Sequence, residues 1–138
     1  MSADQNRQQA IRWFATAEQD LASARWIRDG GYFNTACFQA QQAAEKALKA
    51  FLFLQGERGV RGHSTVELLT RCTEFRPEFE ALRHHCRVLD RHYIPTRYPD
   101  ALPDTTPHAA FGPEDADDAL RRSQEILQAV RDALGEKD

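Results

Sequence analysis

The apolar residues of this chain recur every three or four positions over long segments, and this spacing limits the possible folds most strongly. The first such segment holds Ala10, Trp13, Phe14, Ala17, Leu21, Ala24 and Ile27. Side chains at this spacing lie on one face of an α-helix. Because no segment alternates between apolar and polar residues over the length of a strand, the sequence predicts an all-α fold.

Glycines and prolines divide the chain into about five helical segments joined by short links. Such an arrangement predicts an antiparallel up-and-down helical bundle. Ser64 and Glu67 match the capping-box pattern at the start of the third helix. The predicted helices cover about residues 5–28, residues 32–55, a segment that begins at residue 64, a segment that begins near residue 77 and carries an apolar seam to residue 93, and residues 113–135.

Five of the six prolines fall within residues 94–113, which predicts a long proline-rich loop there. The 138 residues suit one compact domain over residues 1–138, with its helical core at about residues 10–134. No apolar run approaches the roughly 20 residues that span a bilayer. We therefore expect a cytoplasmic protein with no membrane segment, and the three cysteines, Cys37, Cys72 and Cys86, should be small buried side chains.

Charge is distributed unevenly along the chain, although the net charge is only −3. Residues 57–97 contain eight arginines and six acidic residues, together with four of the five histidines. Residues 98–138 contain four basic and ten acidic residues. The middle of the chain is therefore the part that could face an anion.

Several motifs occur in a fixed order along these helices. Trp13, Ala17, Asp20 and Leu21 give W-x3-A-x2-D-L in the first helix, and the second helix runs as QAQQAAEKALKAFL. A G-x-R-G-H-S-x3-L-L stretch follows at residues 59–69, and L-D-x2-Y-I-P-T-R-Y-P-D covers residues 89–100. This combination resembles the HEPN domain family, in the branch that contains R-Y-P-D, and the resemblance extends over about residues 10–134.

The resemblance implies a helical bundle that often dimerises and often pairs with a minimal nucleotidyltransferase encoded next to it, as in toxin–antitoxin pairs. Some branches of the family are metal-independent ribonucleases that use an Arg followed, after four to six residues, by a His. Other branches are non-catalytic modules that bind RNA, a nucleotide or a partner. Family membership alone therefore does not decide whether this chain is an enzyme.

Arg87 and His92 have the spacing of the ribonuclease motif. A histidine can move protons during attack by a 2′-hydroxyl group, and an arginine can stabilise the charge that develops on the phosphate. Val88, however, stands where that branch usually has Asn. Five positions along a regular helix also turn two side chains about 140° apart.

The R-Y-P-D segment supplies a second candidate site, a nucleotide- or RNA-binding surface. Arg97 could hold a phosphate with two hydrogen bonds and Tyr98 could stack on a base, with Asp100 beside them. In the alternative interpretation, Tyr93 and Tyr98 fill the bundle while Arg97 pairs with Asp100 or with a glutamate of the second helix. Both interpretations stay open at this point.

Further cationic residues could extend the binding surface. Candidates are Lys46 from the second-helix motif, His63 from the H-S-x3-L-L stretch, and Arg83 and Arg91 from a basic stripe on the fourth helix. For the helix residues, a helix-stabilising ion pair or a solvated helix face is the simpler explanation, and for His63 it is support of the loop just before the Ser64 cap. The histidines and cysteines lack metal-ligand spacing and no glycine-rich phosphate loop occurs, so we expect no metal and no cofactor.

Three functions are compatible with these observations. The first is a binding module that pairs with a nucleotidyltransferase, a nucleotide or RNA; the second is a ribonuclease toxin that uses Arg87 and His92 between the chains of a dimer. The third is a helical interaction protein without a ligand. Trp26 and Tyr32 lie outside the main apolar stripes and are candidates for an oligomer contact.

Overall fold

A computed structural model describes residues 2–136, and its helices form an up-and-down bundle, as predicted. No strand occurs among these residues. The α-helices are α1 (Ala3–Asp29), α2 (Phe33–Leu54), α3 (Thr65–Phe75), α4 (Arg83–Asp90), α5 (Pro107–Ala110) and α6 (Pro113–Gly135). Within the described part of the chain, no helix combines the length and apolar character that a membrane crossing requires.

Helix α2 lies at the centre of the bundle and packs against α1, α6, α3 and α4. More than half of its residues are buried, many of them alanines, which allow neighbouring helices to approach closely. Gly31, at φ 87°, permits the tight reversal that sets α1 and α2 side by side. The three cysteines are buried among these helices, and burial raises the pKa of the Cys37 thiol to about 12.

Two predicted segments differ from the structure. The single fourth helix expected from Pro77 onward is a 3₁₀ helix, Pro77–Leu82, followed by α4, which ends at Asp90 and leaves Tyr93 in the turns beyond it. The tighter 3₁₀ segment places Phe79 against the ring of Phe51, with 4.7 Å between the ring centroids. The proline-rich segment 94–113 is not a continuous loop, because it contains a short 3₁₀ helix, Pro99–Ala101, and α5.

The start of α3 is held by a carboxylate from the far end of α4. Ser64 accepts a hydrogen bond from the Glu67 amide, as the capping prediction requires, but the carboxylate at this helix end is that of Asp90. The Asp90 oxygens accept from the Thr65 and Val66 amides at 2.8 and 3.1 Å and from the Ser64 hydroxyl at 2.9 Å. One acidic side chain thereby satisfies orphan amides of α3 and fixes α4 against it.

The buried amide of Gln41 completes this joint from α2. Its Nε2 donates to the backbone oxygen of His63 at 2.8 Å and lies 3.3 Å from Asp90 Oδ1. The Thr65 hydroxyl, also fully buried, lies 2.7 Å from the same oxygen. The joint between α2, α3 and α4 is therefore polar and contains no unpaired carboxylate oxygen.

We predict that Asp90→Ala lowers the free energy of unfolding by about 3 kcal/mol, because several hydrogen bonds to a charged group disappear and leave buried donors unpaired. Glu74→Ala is the matched control, since it removes an exposed carboxylate from α3 and should change stability by no more than about 0.5 kcal/mol. Urea unfolding followed by circular dichroism measures both values. Equal effects of the two substitutions would show that the joint contributes nothing.

Candidate functional site

The guanidinium group of Arg97 lies among three aromatic rings just beyond the end of α4. Its Cζ is 4.3 Å from the ring centroid of Phe38, 4.5 Å from that of Tyr93 and 5.1 Å from that of Tyr98. Aromatic faces attract a cation at such distances. The Nε atom donates to the Tyr93 backbone oxygen at 2.8 Å, which fixes the plane of the group.

The four remaining N–H donors of Arg97 have no hydrogen-bond partner among residues 2–136. No carboxylate in this described region forms an ion pair with Arg97, so the pairing with Asp100 or a glutamate of α2, which the alternative interpretation requires, does not occur. Tyr98 is about half exposed, with a relative accessibility of 52%. Arg97 therefore combines a fixed position with unused donors, beside an aromatic ring that solvent reaches.

His63 contacts the same aromatic ring as Arg97. Its imidazole stacks on Tyr93, with 5.0 Å between the centroids and 18° between the planes. On its inner side, Nδ1 lies 3.1 Å from Oε1 of the buried Glu45. His63 and Arg97, which are far apart in the sequence, thus both contact the ring of Tyr93. We call the group formed by Phe38, His63, Tyr93, Arg97 and Tyr98 the aromatic–arginine site.

Helix α2 supports this site with buried polar side chains. Glu45 accepts from Lys49 Nζ at 3.2 Å, and this i,i+4 pair lies in the interior of the bundle. Asn34 Nδ2 donates to the Thr96 backbone oxygen at 3.0 Å and so ties the segment before Arg97 to α2. Sequence reasoning missed Phe38, which lies seven positions before Glu45 on the same helix face.

Three other residues predicted for the binding surface are arranged differently. Lys46 Nζ lies 2.5 Å from Asp20 Oδ2 on the side of α2 that faces α1, where it joins two helices. Arg83 pairs with Glu80 and donates to Thr70 Oγ1, so its guanidinium is already occupied. Asp100 is exposed in the short 3₁₀ helix after Tyr98.

Exposed arginines lie close in sequence to the aromatic–arginine site. Arg58 and Arg61 belong to the segment that leads into His63, and Gly62, at φ 98°, sets the reversal directly before that histidine. Arg91 is exposed immediately after α4. None of the three forms an ion pair with another residue in the range 2–136. The surroundings of the site therefore favour an anion.

The residue composition of the site does not suit a metal ion. No group of three or more His, Cys, Asp or Glu side chains within the described range could hold one. The arrangement instead offers cationic N–H donors, a stacking surface and one imidazole. These are the groups with which proteins bind the phosphate and the base of a nucleotide.

Comparison with known proteins identifies the family of this chain. The family model described as "HEPN domain" matches residues 10–133. The chain belongs to the HEPN family. The resemblance seen in the sequence is therefore confirmed, and the match covers nearly the same residues that the motifs indicated.

Three solved structures have the same fold as this chain, and two of them are described as HEPN proteins. TT1696 from Thermus thermophilus is 38% identical, with a TM-score of 0.86 over 90% of this chain and 97% of the other. ST0689, described as an archaeal HEPN homologue, is 36% identical, with a TM-score of 0.77 over 91% and 98%. The HEPN domain protein tm0613 from Thermotoga maritima is 30% identical, with a TM-score of 0.71 over 91% and 99%.

A curated relative adds a name that refers to a biological role. The protein named "Putative toxin MJ1304" from Methanocaldococcus jannaschii is 26% identical over 130 residues, which cover 88% of this chain and 85% of that protein. The similarity extends over nearly the whole length of both chains. It therefore covers α2, α4 and the segment that carries Arg97.

The two residues with the spacing of the HEPN ribonuclease motif lie in different surroundings within one chain. Arg87 is exposed on α4, and its charge acts on Glu80. The ring of His92 packs edge-on against Phe111, with 5.5 Å between the centroids, and its Nδ1 is buried without a hydrogen-bond partner among the described residues.

Burial lowers the pKa of His92, because the charged imidazolium would lose its hydration. The carboxylates of Asp115 and Asp118 oppose this effect, and the cations of Arg91 and Arg122 add to it. His92 is therefore a neutral, largely enclosed side chain at neutral pH in this HEPN chain. A histidine that exchanges protons with a substrate must be accessible to it, whereas His92 is largely enclosed within one chain.

Proposed function

We propose that this HEPN protein is the binding module of a toxin–antitoxin-like pair, and that its aromatic–arginine site binds a nucleotide or single-stranded RNA. The observation that carries the proposal is Arg97, a guanidinium held by three rings with four N–H donors unused within the described chain. A phosphate group would take two of these donors, and the exposed ring of Tyr98 would stack on a base.

The partner in this proposal is a minimal nucleotidyltransferase encoded beside the HEPN protein. Its support is the resemblance between this chain and the R-Y-P-D branch, together with the relative that is named as a toxin. The exposed arginines near His63 and after α4 would serve as additional contacts to a negatively charged ligand or partner surface. No cofactor is required for binding of this kind.

We expect Arg97→Ala to weaken binding of a short single-stranded RNA at least about tenfold, because charge-assisted hydrogen bonds to phosphate are lost. Fluorescence anisotropy with an end-labelled ten-nucleotide RNA measures the effect. Arg12→Ala is the matched control, since it removes the same charge from an exposed position on α1. If Arg97→Ala binds the RNA as tightly as Arg12→Ala, the aromatic–arginine site does not bind RNA and the proposal fails.

The proposal includes a homodimer, and the exposed apolar residues of α1 and the following turn are its candidate surface. The relative accessibility is 81% for Trp26, 68% for Tyr32 and 51% for Ile11. Large apolar groups exposed to this extent commonly mark contacts between proteins. The dimer stays a prediction, and these side chains are the ones to change first.

We expect the wild-type protein to sediment as a dimer and Trp26→Ala to shift toward the monomer, because the substitution removes a large apolar contact area. Sedimentation velocity at several protein concentrations measures the shift. Phe75→Ala is the control, since it removes an aromatic residue of 44% accessibility from α3. A dimer that both substitutions leave unchanged would exclude the surface around Trp26.

A ribonuclease that uses Arg87 and His92 between two chains is the alternative function. Because Arg87 and His92 lie in different surroundings within one chain, we expect no RNA cleavage in the absence of metal. We also expect the nucleotidyltransferase to co-purify with this chain. An assay with EDTA present compares the wild type with Arg87→Ala, and Arg12→Ala serves as the charge control. Cleavage by the wild type that only Arg87→Ala abolishes would establish the ribonuclease instead.

A further inference from the structure

The buried carboxylate of Glu45 fixes one nitrogen of a histidine whose other side reaches solvent. Glu45 has a relative accessibility of 3%, and its Oε1 lies 3.1 Å from His63 Nδ1. The His63 side chain itself is 59% accessible. Since it also stacks on Tyr93, the ring is held both in its plane and along its edge.

The surroundings of Glu45 decide which ring nitrogen carries the proton. A carboxylate can only accept hydrogen bonds, so the Nδ1 atom that faces it must be the N–H donor. Lys49 already balances the negative charge of Glu45, with 3.2 Å between Nζ and Oε2, and Gln42 donates to Oε1 at 3.3 Å. In a neutral imidazole with Nδ1–H, the Nε2 atom carries a lone pair.

This lone pair determines what kind of group His63 can recognise. Nε2 has no hydrogen-bond partner among residues 2–136. As an acceptor it would repel a phosphate oxygen, but it would accept a hydrogen bond from a hydroxyl group. Arg97, which offers donors to a phosphate, contacts the same Tyr93 ring. In a ribonucleotide the 2′-hydroxyl lies within one sugar ring of the phosphate, and this group distinguishes RNA from DNA.

We infer that His63 selects ribonucleotides over deoxyribonucleotides by accepting a hydrogen bond from the ribose 2′-hydroxyl at Nε2, with Glu45 as the positioning residue that fixes its Nδ1–H form. The inference rests on the proposed function, since it requires a nucleotide phosphate on Arg97. It assigns Arg97 to affinity for the phosphate and His63 to the choice of sugar. The ligand class is a ribonucleotide chain with an unmodified 2′-hydroxyl.

Oligonucleotides of identical base sequence separate this inference from the proposed function. In ten-nucleotide oligo(rA) and oligo(dA) the internal 3′-oxygens are esterified, so the 2′-hydroxyl is the only internal sugar hydroxyl that differs. We expect the wild type to bind oligo(rA) about fivefold more tightly, the effect of one neutral hydrogen bond. Oligo(rA) with 2′-O-methyl groups, which lack the donor hydrogen, should bind like oligo(dA).

His63→Phe should reduce the preference for oligo(rA) over oligo(dA), measured as the ratio of the two dissociation constants, to about onefold, because the phenyl ring has no acceptor nitrogen. The control is His84→Phe, which changes an exposed histidine on α4 and should leave the fivefold preference intact. Equal binding of both oligonucleotides by the wild type, or a preference that survives in His63→Phe, would overturn the inference while the proposed site stands. Binding of neither oligonucleotide would overturn the proposed function and the inference with it.

A spectroscopic measurement tests the role of Glu45 without relying on binding. Nitrogen-15 NMR of the imidazole rings distinguishes Nδ1–H from Nε2–H, and we expect the Nδ1–H form for His63 in the wild type. Glu45→Gln, whose amide can donate to Nδ1, should shift His63 toward Nε2–H and lower the RNA preference. An Nε2–H form of His63 in the wild type would contradict the positioning role even if the variant does not fold.

Discussion

The carboxylate of Asp90 connects the two chain segments from which the aromatic–arginine site is built. It pairs with the first amides of α3, and His63 immediately precedes that helix start. Asp90 is also the last residue of α4, so Tyr93 and Arg97 follow within the next two turns of chain. Because Gln41 of α2 donates to the same joint, the stacking of His63 on Tyr93 depends on an interaction outside the site.

The central helix α2 carries buried ionic side chains that an apolar core does not need. Glu45 and Lys49 are both nearly inaccessible, and a buried ion pair of this kind often contributes little net stability. The pair has a positional effect instead, since Glu45 also contacts His63 and Lys49 lies 5.6 Å from the ring centroid of Trp13. The pair thus connects the aromatic–arginine site to α1, and an apolar residue in place of Glu45 would leave Nδ1 of His63 without this contact.

Sequence periodicity predicted the bundle well because the apolar face of a helix can be recognised from the residues of one segment alone. Ala10 to Ile27 repeats at helical spacing whatever packs against it, and the glycines that end α1 and α2 act locally. The 3₁₀ start at Pro77 was missed because the spacing of Phe79 and Leu82 fits an α-helix as well, and the contact of Phe79 with Phe51 joins distant parts of the sequence. The R-Y-P-D motif identified Arg97 and Tyr98 as candidate residues of the site. The contact of Arg97 with Phe38, and the ion pair of Lys46 with Asp20, depend on the orientation of α2 about its axis, which the sequence does not show.

Acidic and basic side chains are concentrated in different segments of the chain. The first turns of α6 carry Glu114, Asp115, Asp117 and Asp118, and two of these carboxylates act on His92. Asp117 and Asp118 form ion pairs with arginines, whereas the segments around His63 and Arg97 present arginines that have no ion pair within the described chain. The net charge of −3 therefore does not describe the segments around His63 and Arg97, where arginines without an ion pair are concentrated. In the proposed function, these arginines would attract a nucleic acid strand before any base is contacted.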